Sequence, residues 1–166
     1  MYVCLIDLRK DKGWDYHPKV GLVIAGGKEG SYLDKVERSS DNGVTFQELP
    51  KLPNIIISLC LVIVDNERIF IAGGLRPSGQ ILKTAYMLNL TESDEGWRKL
   101  DPMSFVRYYH TCGKVGPDHV AKKIVVVGGC NDQAMGWSNG MCQTRLKSVE
   151  IYTVASGSWE NGKHGL

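Results

Sequence analysis

Three short apolar runs, each ending in two glycines, organise this chain. They read GLVIAGG, ending at Gly27, RIFIAGG, ending at Gly74, and KIVVVGG, ending at Gly129. Runs of this length that are apolar at consecutive positions predict strands buried on both faces. Glycines at a strand end permit backbone conformations and close approaches that a side chain would block. The sequence therefore predicts three equivalent buried strands that end at six glycines: Gly26, Gly27, Gly73, Gly74, Gly128 and Gly129.

The segments after the double glycines repeat as well. A loop leads to a second strand, in DKVERSS, KTAYMLNL and KSVEIYTV, and a short turn then leads to an aromatic residue, namely Phe46, Trp97 or Trp159. A further apolar strand stands before the second and third double glycines, at 58–65 and 110–116. Four short strands in a period of about 50 residues are typical of a β-propeller blade. We therefore predict an all-β fold built from blades of four antiparallel strands.

The spacing of the first unit differs from that of the others. Only 12 residues separate Trp14 from Gly26, whereas 31 separate Trp97 from Gly128. Because IDLRKDKGW resembles LNLTESDEGW, Trp14 is interpreted as the closing aromatic residue of an earlier blade. The chain is thus expected to form one partial propeller over 1–166, with about two full blades and parts of two others. The expected segments are a remnant at 1–19, a shortened blade at 20–57, a blade at 58–106, and a blade at 107–166 with a long loop at 130–146.

These motifs together resemble the kelch repeat family over nearly the whole chain. Besides the double glycines, the residues that carry the resemblance are Val149 to Tyr152, Trp159, Pro102, Met103, Arg107 and His110. The resemblance implies a propeller whose loops capture a protein or peptide. Kelch proteins that serve cullin-based ubiquitin ligases also carry a BTB domain. No such domain is visible in this sequence, so that role is not expected.

Composition limits the classes of partner. Hydrophobic residues make up 43% of the chain and charged residues 23%, as in a globular protein. The net charge of +2, with no basic run, gives no support for binding to nucleic acid or an acidic membrane. No apolar stretch reaches the length of about 20 residues that a membrane span needs. We expect no cofactor, no nucleic acid and no membrane among the partners.

The five cysteines bear on the compartment. Cys130 and Cys142 bracket an insertion that a disulfide would close, and Cys60 and Cys112 lie at related places in successive blades, which leaves Cys4 over. Buried reduced thiols in a cytosolic protein are the alternative. The amino terminus has no signal-peptide pattern, which favours the cytoplasm. The cysteine pairs and the sequon at Asn89 favour an extracellular parent protein, so both compartments stay open.

The segment SSDNGVTF, from Ser39 to Phe46, fits the Asp-box pattern found in the hairpin turns of sialidase-type propellers. Its expected role is structural, because Asp and Ser side chains bond the backbone of a turn and Gly43 supplies a positive φ.

The sequence gives little support for a metal site or a catalytic site. The potential ligands His110, Cys112, His119, Cys130 and Cys142 lack the short spacing of a zinc site. A propeller enzyme of the galactose-oxidase or sugar-processing type is the alternative function. Strand alternation would place Tyr108 and His110 on one face. No nucleophile elbow, phosphate loop or HExxH motif is present, so we predict no catalytic residue, no metal ligand and no enzyme.

The leading hypothesis is a non-catalytic scaffold for a protein or peptide partner. Function in such folds lies in loops on a stiff framework. The loops in question follow the double glycines or join successive blades. The predicted partner-binding residues in them are Arg76, Ser78, Arg107, Asn131, Trp137 and Arg145. A non-functional fragment of a larger protein is the third hypothesis. An open arc would expose edge strands and favour self-association.

Overall fold

The fold was obtained as a computed structural model that describes residues 10–117, 120–131, 142 and 144–162. It is all-β, as predicted, and consists of three four-stranded antiparallel sheets with one short 3-10 helix, Ser93–Glu95, in the described part. A double glycine lies within the second strand of the first sheet and directly after the second strand of the other two sheets.

The first sheet contains β1 (Lys10–His17), β2 (Gly21–Glu29), β4 (Val36–Ser39) and β5 (Gln47–Leu49) in that order, and β3 (Ser31–Tyr32) pairs with the end of β2. The second sheet contains β6 (Cys60–Ile63), β7 (Arg68–Ala72), β8 (Ala85–Asn89) and β9 (Trp97–Lys99). The third sheet contains β10 (Thr111–Val115), β11 (Lys123–Val127), β12 (Val149–Thr153) and β13 (Ser158–Asn161). Each sheet therefore uses its strands in chain order from one edge to the other.

The sheets stack face to face, with their first strands side by side. β1 lies next to β6, and β6 lies next to β10. One apolar core separates the first sheet from the second, and another separates the second from the third. Within the described residues the three sheets do not close into a ring. This arrangement is consistent with an incomplete propeller.

The register defines equivalent positions in the three sheets. The residue before each double glycine pairs with Gly13 in β1, Cys60 in β6 and Thr111 in β10. Counting from these residues, Trp14 is equivalent to Leu61 and Cys112. The same counting makes Tyr16, Ile63 and Lys114 equivalent.

This register corrects the expected boundaries of the first unit. β1 belongs to the same sheet as β2, with Trp14 opposite Ile24, so residues 10–17 are not the remnant of a preceding blade. The sheet that begins there has four strands in sequence across it, with β3 paired to the end of β2, and is not shortened. Trp14 resembles Trp97 in its local sequence, but it lies on the first strand of its sheet, whereas Trp97 lies on the last.

The double glycines let neighbouring backbone segments approach closely. Gly73 has φ +63, and a Cβ there would lie 2.7 Å from the carbonyl oxygen of Arg107, in the segment that leads into the third sheet. Gly129 has φ +88, and its Cβ would lie 2.7 Å from the carbonyl oxygen of Tyr108. A side chain at either position would therefore push away a backbone segment that now lies against the glycine.

Two tryptophans connect neighbouring sheets in the same way. Trp97 donates its indole N–H to the carbonyl oxygen of Pro50 at 2.9 Å, and Trp159 donates to that of Asp101 at 2.7 Å. Pro50 follows the last strand of the first sheet, and Asp101 follows that of the second. The third aromatic residue of the repeat, Phe46, is 41% exposed on the first sheet.

The Asp-box segment forms a hydrogen-bonded turn. Asp41 accepts hydrogen bonds from the Thr45 hydroxyl at 2.6 Å and the Ser39 hydroxyl at 2.7 Å, and Ser39 accepts one from the Gly43 N–H at 2.8 Å. These bonds, chiefly the one from the Thr45 hydroxyl, lower the pKa of Asp41 to about 2. Gly43 has φ +87. These hydrogen bonds thus stabilise the turn between β4 and β5.

Candidate functional site

The loops that follow the double glycines meet the segments joining the sheets at one end of the molecule. In the second sheet, isolated bridges pair Ile57 with Leu75 and Leu75 with Ile81. In the third sheet, the equivalent bridges pair Tyr108 with Cys130 and Cys130 with Arg145. These five non-arginine residues form an apolar cluster, against which Tyr32, Val106 and Cys142 pack. We call this end of the molecule the loop face.

The segments that join the sheets expose large apolar side chains. Ile55 is 39% exposed, Phe105 42% and Tyr109 57%. Tyr109 has φ +51, an unusual conformation for an aromatic residue, and its ring lies 4.9 Å from that of Tyr108. The loop face therefore combines an apolar base with exposed apolar and aromatic groups.

Polar side chains from the double-glycine loops accompany them. Arg76 donates from Nη2 to Oδ1 of Asn54 at 3.2 Å, which ties the second-sheet loop to the preceding joining segment. Its Nε is buried and has no hydrogen-bond partner among the described residues. Ser78 is exposed in the turn that the bond from Gly79 N–H to Arg76 carbonyl closes, and Arg145 is exposed on the next loop.

Three of the predicted binding residues, Arg76, Ser78 and Arg145, thus reach the surface of this face. Asn131 is partly buried, and its backbone N–H donates to the carbonyl of Thr144 at 3.3 Å. Trp137 lies outside the described residues.

The structure corrects the assignment of Arg107 to the binding surface. Its side chain is 0% exposed and forms an ion pair with Glu150 at 2.6 Å, with Glu150 1% exposed. The guanidinium also donates to the carbonyl oxygen of Gly128 at 2.8 Å and to the Ser148 hydroxyl at 3.1 Å. Glu150 accepts a further hydrogen bond from the Phe105 N–H at 3.2 Å. Arg107 therefore fixes the joining segment to the third sheet and is not available to a partner.

A signal for this pair existed in the sequence. Glu150 stands between Val149 and Ile151 on a strand, and it shares its face with Tyr152. A buried glutamate needs a cationic partner, and Arg107 is the cation in the repeated segment before β10.

His110 is also part of the interior. Its Nε2 lies 3.1 Å from the carbonyl oxygen of Ala72, a contact that requires Nε2 to carry the proton. Burial, with a smaller contribution from the positive charge of Arg107, lowers the pKa of His110 to about 4. The positive φ of Tyr109 interrupts the strand alternation that placed Tyr108 and His110 on one face, and β10 begins only at Thr111.

Two cysteine pairs are joined as disulfides. Cys60 and Cys112, with Cα atoms 5.8 Å apart, connect the first strands of the second and third sheets. Cys130 and Cys142, with Cα atoms 5.7 Å apart, connect the two ends of the long loop. Cys4 lies outside the described residues. The pairs are compatible with an extracellular location.

The described part of the chain contains no group of three or more His, Cys, Asp and Glu side chains placed to hold a metal ion, and His119 lies outside it. It also contains no helix long and apolar enough to cross a membrane.

No protein-family model matches this chain, and no curated protein matches it. What is established is the architecture: an all-β chain with repeated four-stranded antiparallel sheets.

Proposed function

We propose that this chain is a kelch-type partial propeller that acts as a non-catalytic scaffold and binds a protein or peptide at its loop face. The observation that carries the proposal is the meeting of loops from successive sheets over one apolar cluster, with Ile55, Tyr109, Arg76 and Arg145 accessible around it.

The chemistry of these side chains suits a peptide. Tyr and Arg are over-represented among residues that dominate binding energy, and Arg76 is bonded to Asn54, the neighbour in sequence of exposed Ile55. The loops rest on stiff sheets, so little conformational entropy would be lost on binding. Because apolar contacts contribute alongside the arginines, binding should depend only weakly on salt.

The test is selection of ligands from a displayed peptide library on the immobilised chain. Selected peptides are then measured against the double variant Arg76→Ala/Arg145→Ala. The control is Lys19→Ala/Lys122→Ala, which removes two positive charges from exposed turns at the opposite end of the sheets. We expect the loop-face variant to weaken binding by about tenfold or more, and the control to leave it unchanged. Equal effects of the two variants, or no selected peptide, would contradict the proposal.

We also propose that the chain works in an oxidising compartment. The two disulfides support this, as does the sequon at Asn89, which lies at the end of β8 and accepts hydrogen bonds from the Thr91 hydroxyl at 2.8 Å and the Thr91 N–H at 3.1 Å. Thiol titration of unfolded protein purified without reductant tests it. Two pairs among five cysteines leave one titratable thiol per chain, whereas a reduced protein would show five.

A further inference from the structure

The only N-glycosylation sequon in the sequence, Asn89-Leu90-Thr91, lies where β8 ends. The chain leaves the sheet at Asn89, which pairs with Arg68 at the start of β7, and turns towards β9. Asn89 is half-buried, and Thr91 and Glu92 are exposed. The sequon therefore lies at the surface of the folded sheet, where an attached sugar chain extends into solvent.

The side-chain amide of Asn89 makes two kinds of hydrogen bond in this turn. Its Oδ1 accepts from the Thr91 hydroxyl at 2.8 Å and from the Thr91 N–H at 3.1 Å, and these bonds stabilise the turn. Its Nδ2 donates to Oε2 of Glu92 at 2.8 Å. Glycosylation replaces one hydrogen of Nδ2 by a sugar and leaves Oδ1 and one N–H in place. A glycosylated asparagine therefore retains an acceptor for Thr91 and a donor for Glu92.

The turn between β4 and β5, in the first sheet, shows that a side-chain oxygen is enough to stabilise such a turn. There Asp41 accepts hydrogen bonds from the Thr45 hydroxyl at 2.6 Å and from the Thr45 N–H at 2.9 Å. A carboxylate thus makes the same two bonds without an amide nitrogen. The amide of Asn89 adds a nitrogen that its own bonds to Thr91 do not use.

An open cavity of about 410 Å³ lies beside the asparagine. Charged side chains from β7, β9 and the turn before β9 make up most of its lining, and such groups form strong hydrogen bonds with the hydroxyl and acetamide groups of a sugar. The first sugar on Nδ2 therefore has space and polar partners next to the protein. Besides Asn89, the lining residues that provide these surroundings are Arg68, Met87, Glu92, Glu95 and Arg98.

We infer that Asn89 carries an N-linked glycan when the chain matures in a secretory compartment, which rests on the oxidising compartment proposed above. In the reaction, Nδ2 forms a bond to the anomeric carbon of an oligosaccharide that is supplied on a lipid diphosphate. The bond from that carbon to the phosphate oxygen breaks, and the lipid diphosphate leaves with the electron pair. The proton lost from Nδ2 passes to a base of the transferase, so the chain acts only as the acceptor.

The glycan would lie at the end of the second sheet that is opposite the loop face. β7 and β8 pair from Arg68 and Asn89 at one end to Ala72 and Ala85 at the other, about 13 Å along the strands. The double glycine and the loop face begin directly after Ala72. The sugar chain therefore leaves the loop face accessible and restricts contacts at the opposite end of the sheet.

Expression of the full chain behind a cleavable leader peptide in cultured animal cells tests the inference. Wild-type protein should show a discrete mass increase that peptide N-glycosidase removes. That enzyme leaves an aspartate in place of Asn89, and peptide mass spectrometry should locate it there. Asn89→Gln and Thr91→Ala should each abolish the mass increase. Thr91→Ser keeps the hydroxyl, so it is the matched control for Thr91→Ala and should retain the glycan.

Thiol titration of the same unfolded samples separates this inference from the proposed compartment. An unmodified Asn89 on a chain with one titratable thiol would overturn the inference and leave the compartment standing. A glycan on a chain with five titratable thiols would support the inference and contradict the disulfides. Circular dichroism melts verify that both Thr91 variants are folded. A mass increase that persists in Thr91→Ala would place the sugar elsewhere and would also overturn the inference.

Discussion

The two interfaces between the sheets have the same geometry and different chemistry. Between the first and second sheets, three buried positions are Ile56, Leu59 and Tyr86. The register makes these positions equivalent to Arg107, His110 and Glu150 between the second and third sheets. At these three positions the first interface has hydrocarbon and a phenol ring, whereas the second has an ion pair and an imidazole beside an otherwise apolar core.

The difference shows that the backbone repeat does not require the polar groups. Hydrocarbon at the first interface tolerates small changes in position, whereas the ion pair at the second requires every donor and acceptor to be placed. We interpret the polar interface as the more selective and the more easily broken of the two.

The largest expected effect is therefore on the ion pair. Arg107→Ile leaves the carboxylate of Glu150 buried without a cation, and should lower the free energy of unfolding by about 3–5 kcal/mol in urea denaturation. The double variant Arg107→Ile/Glu150→Tyr installs the residues of the first interface. It should lose less than the sum of the single variants. Additive losses would show that the pair is not coupled.

The second effect concerns the disulfide between the second and third sheets, which has no counterpart between the first and second sheets in the described part of the chain. Replacing Cys60 and Cys112 by alanine should cost about 2–4 kcal/mol, since the disulfide spans 52 residues of chain. Replacing Cys130 and Cys142, which are 12 residues apart, should cost less. Hydrogen exchange should show the third sheet losing protection before the first. Equal loss in all three sheets would mean that the interfaces are equally strong.

The third effect is a pH dependence at His110. Its folded pKa of about 4 lies below the ordinary value of 6.5, so the folded state resists protonation. Stability is fully present above pH 6.5 and falls as the pH drops towards 4, by about 2 kcal/mol at pH 5. His110→Leu, which copies Leu59, should reduce this loss between pH 7.5 and pH 5. An unchanged pH profile would assign the loss to other groups.

The smallest expected effect is the loss of one tryptophan hydrogen bond, and its cost should be the same at both interfaces. Trp97→Phe and Trp159→Phe each remove one indole N–H and its bond to a backbone carbonyl. Each change should cost about 1 kcal/mol in thermal or urea unfolding. A much larger cost at one site would show that the tryptophan there contributes through packing.

The repeat made much of the fold predictable. Consecutive apolar residues ending in two glycines marked β2, β7 and β11, and the turn at Asp41 followed from its own side chains. The assignment of β1 failed because local similarity placed Trp14 at the end of a unit. The register shows that Lys10–His17, which has no continuous apolar run, is a first strand.

The candidate site was predictable only in outline. Position in the repeat located Arg76, Ser78 and Arg145, because loops after the double glycines lie at one end of every sheet. Arg107 was misplaced because exposure depends on the partner across the interface, Glu150, which is 43 residues away in sequence. From sequence, a charged residue in a loop is predicted to be exposed unless its ion-pair partner is known.

One residue of the middle sheet contacts both neighbouring sheets through its backbone. The N–H of Ile63 donates to Oδ2 of Asp15 at 2.8 Å, and its carbonyl oxygen accepts from Nζ of Lys114 at 3.2 Å. Asp15 belongs to the first sheet and Lys114 to the third. In a spectrum of isotopically labelled protein, the amide nitrogen of Ile63 therefore reports on one junction and its carbonyl carbon on the other. One labelled residue, Ile63, thus gives one signal for the contact with the first sheet and another for the contact with the third.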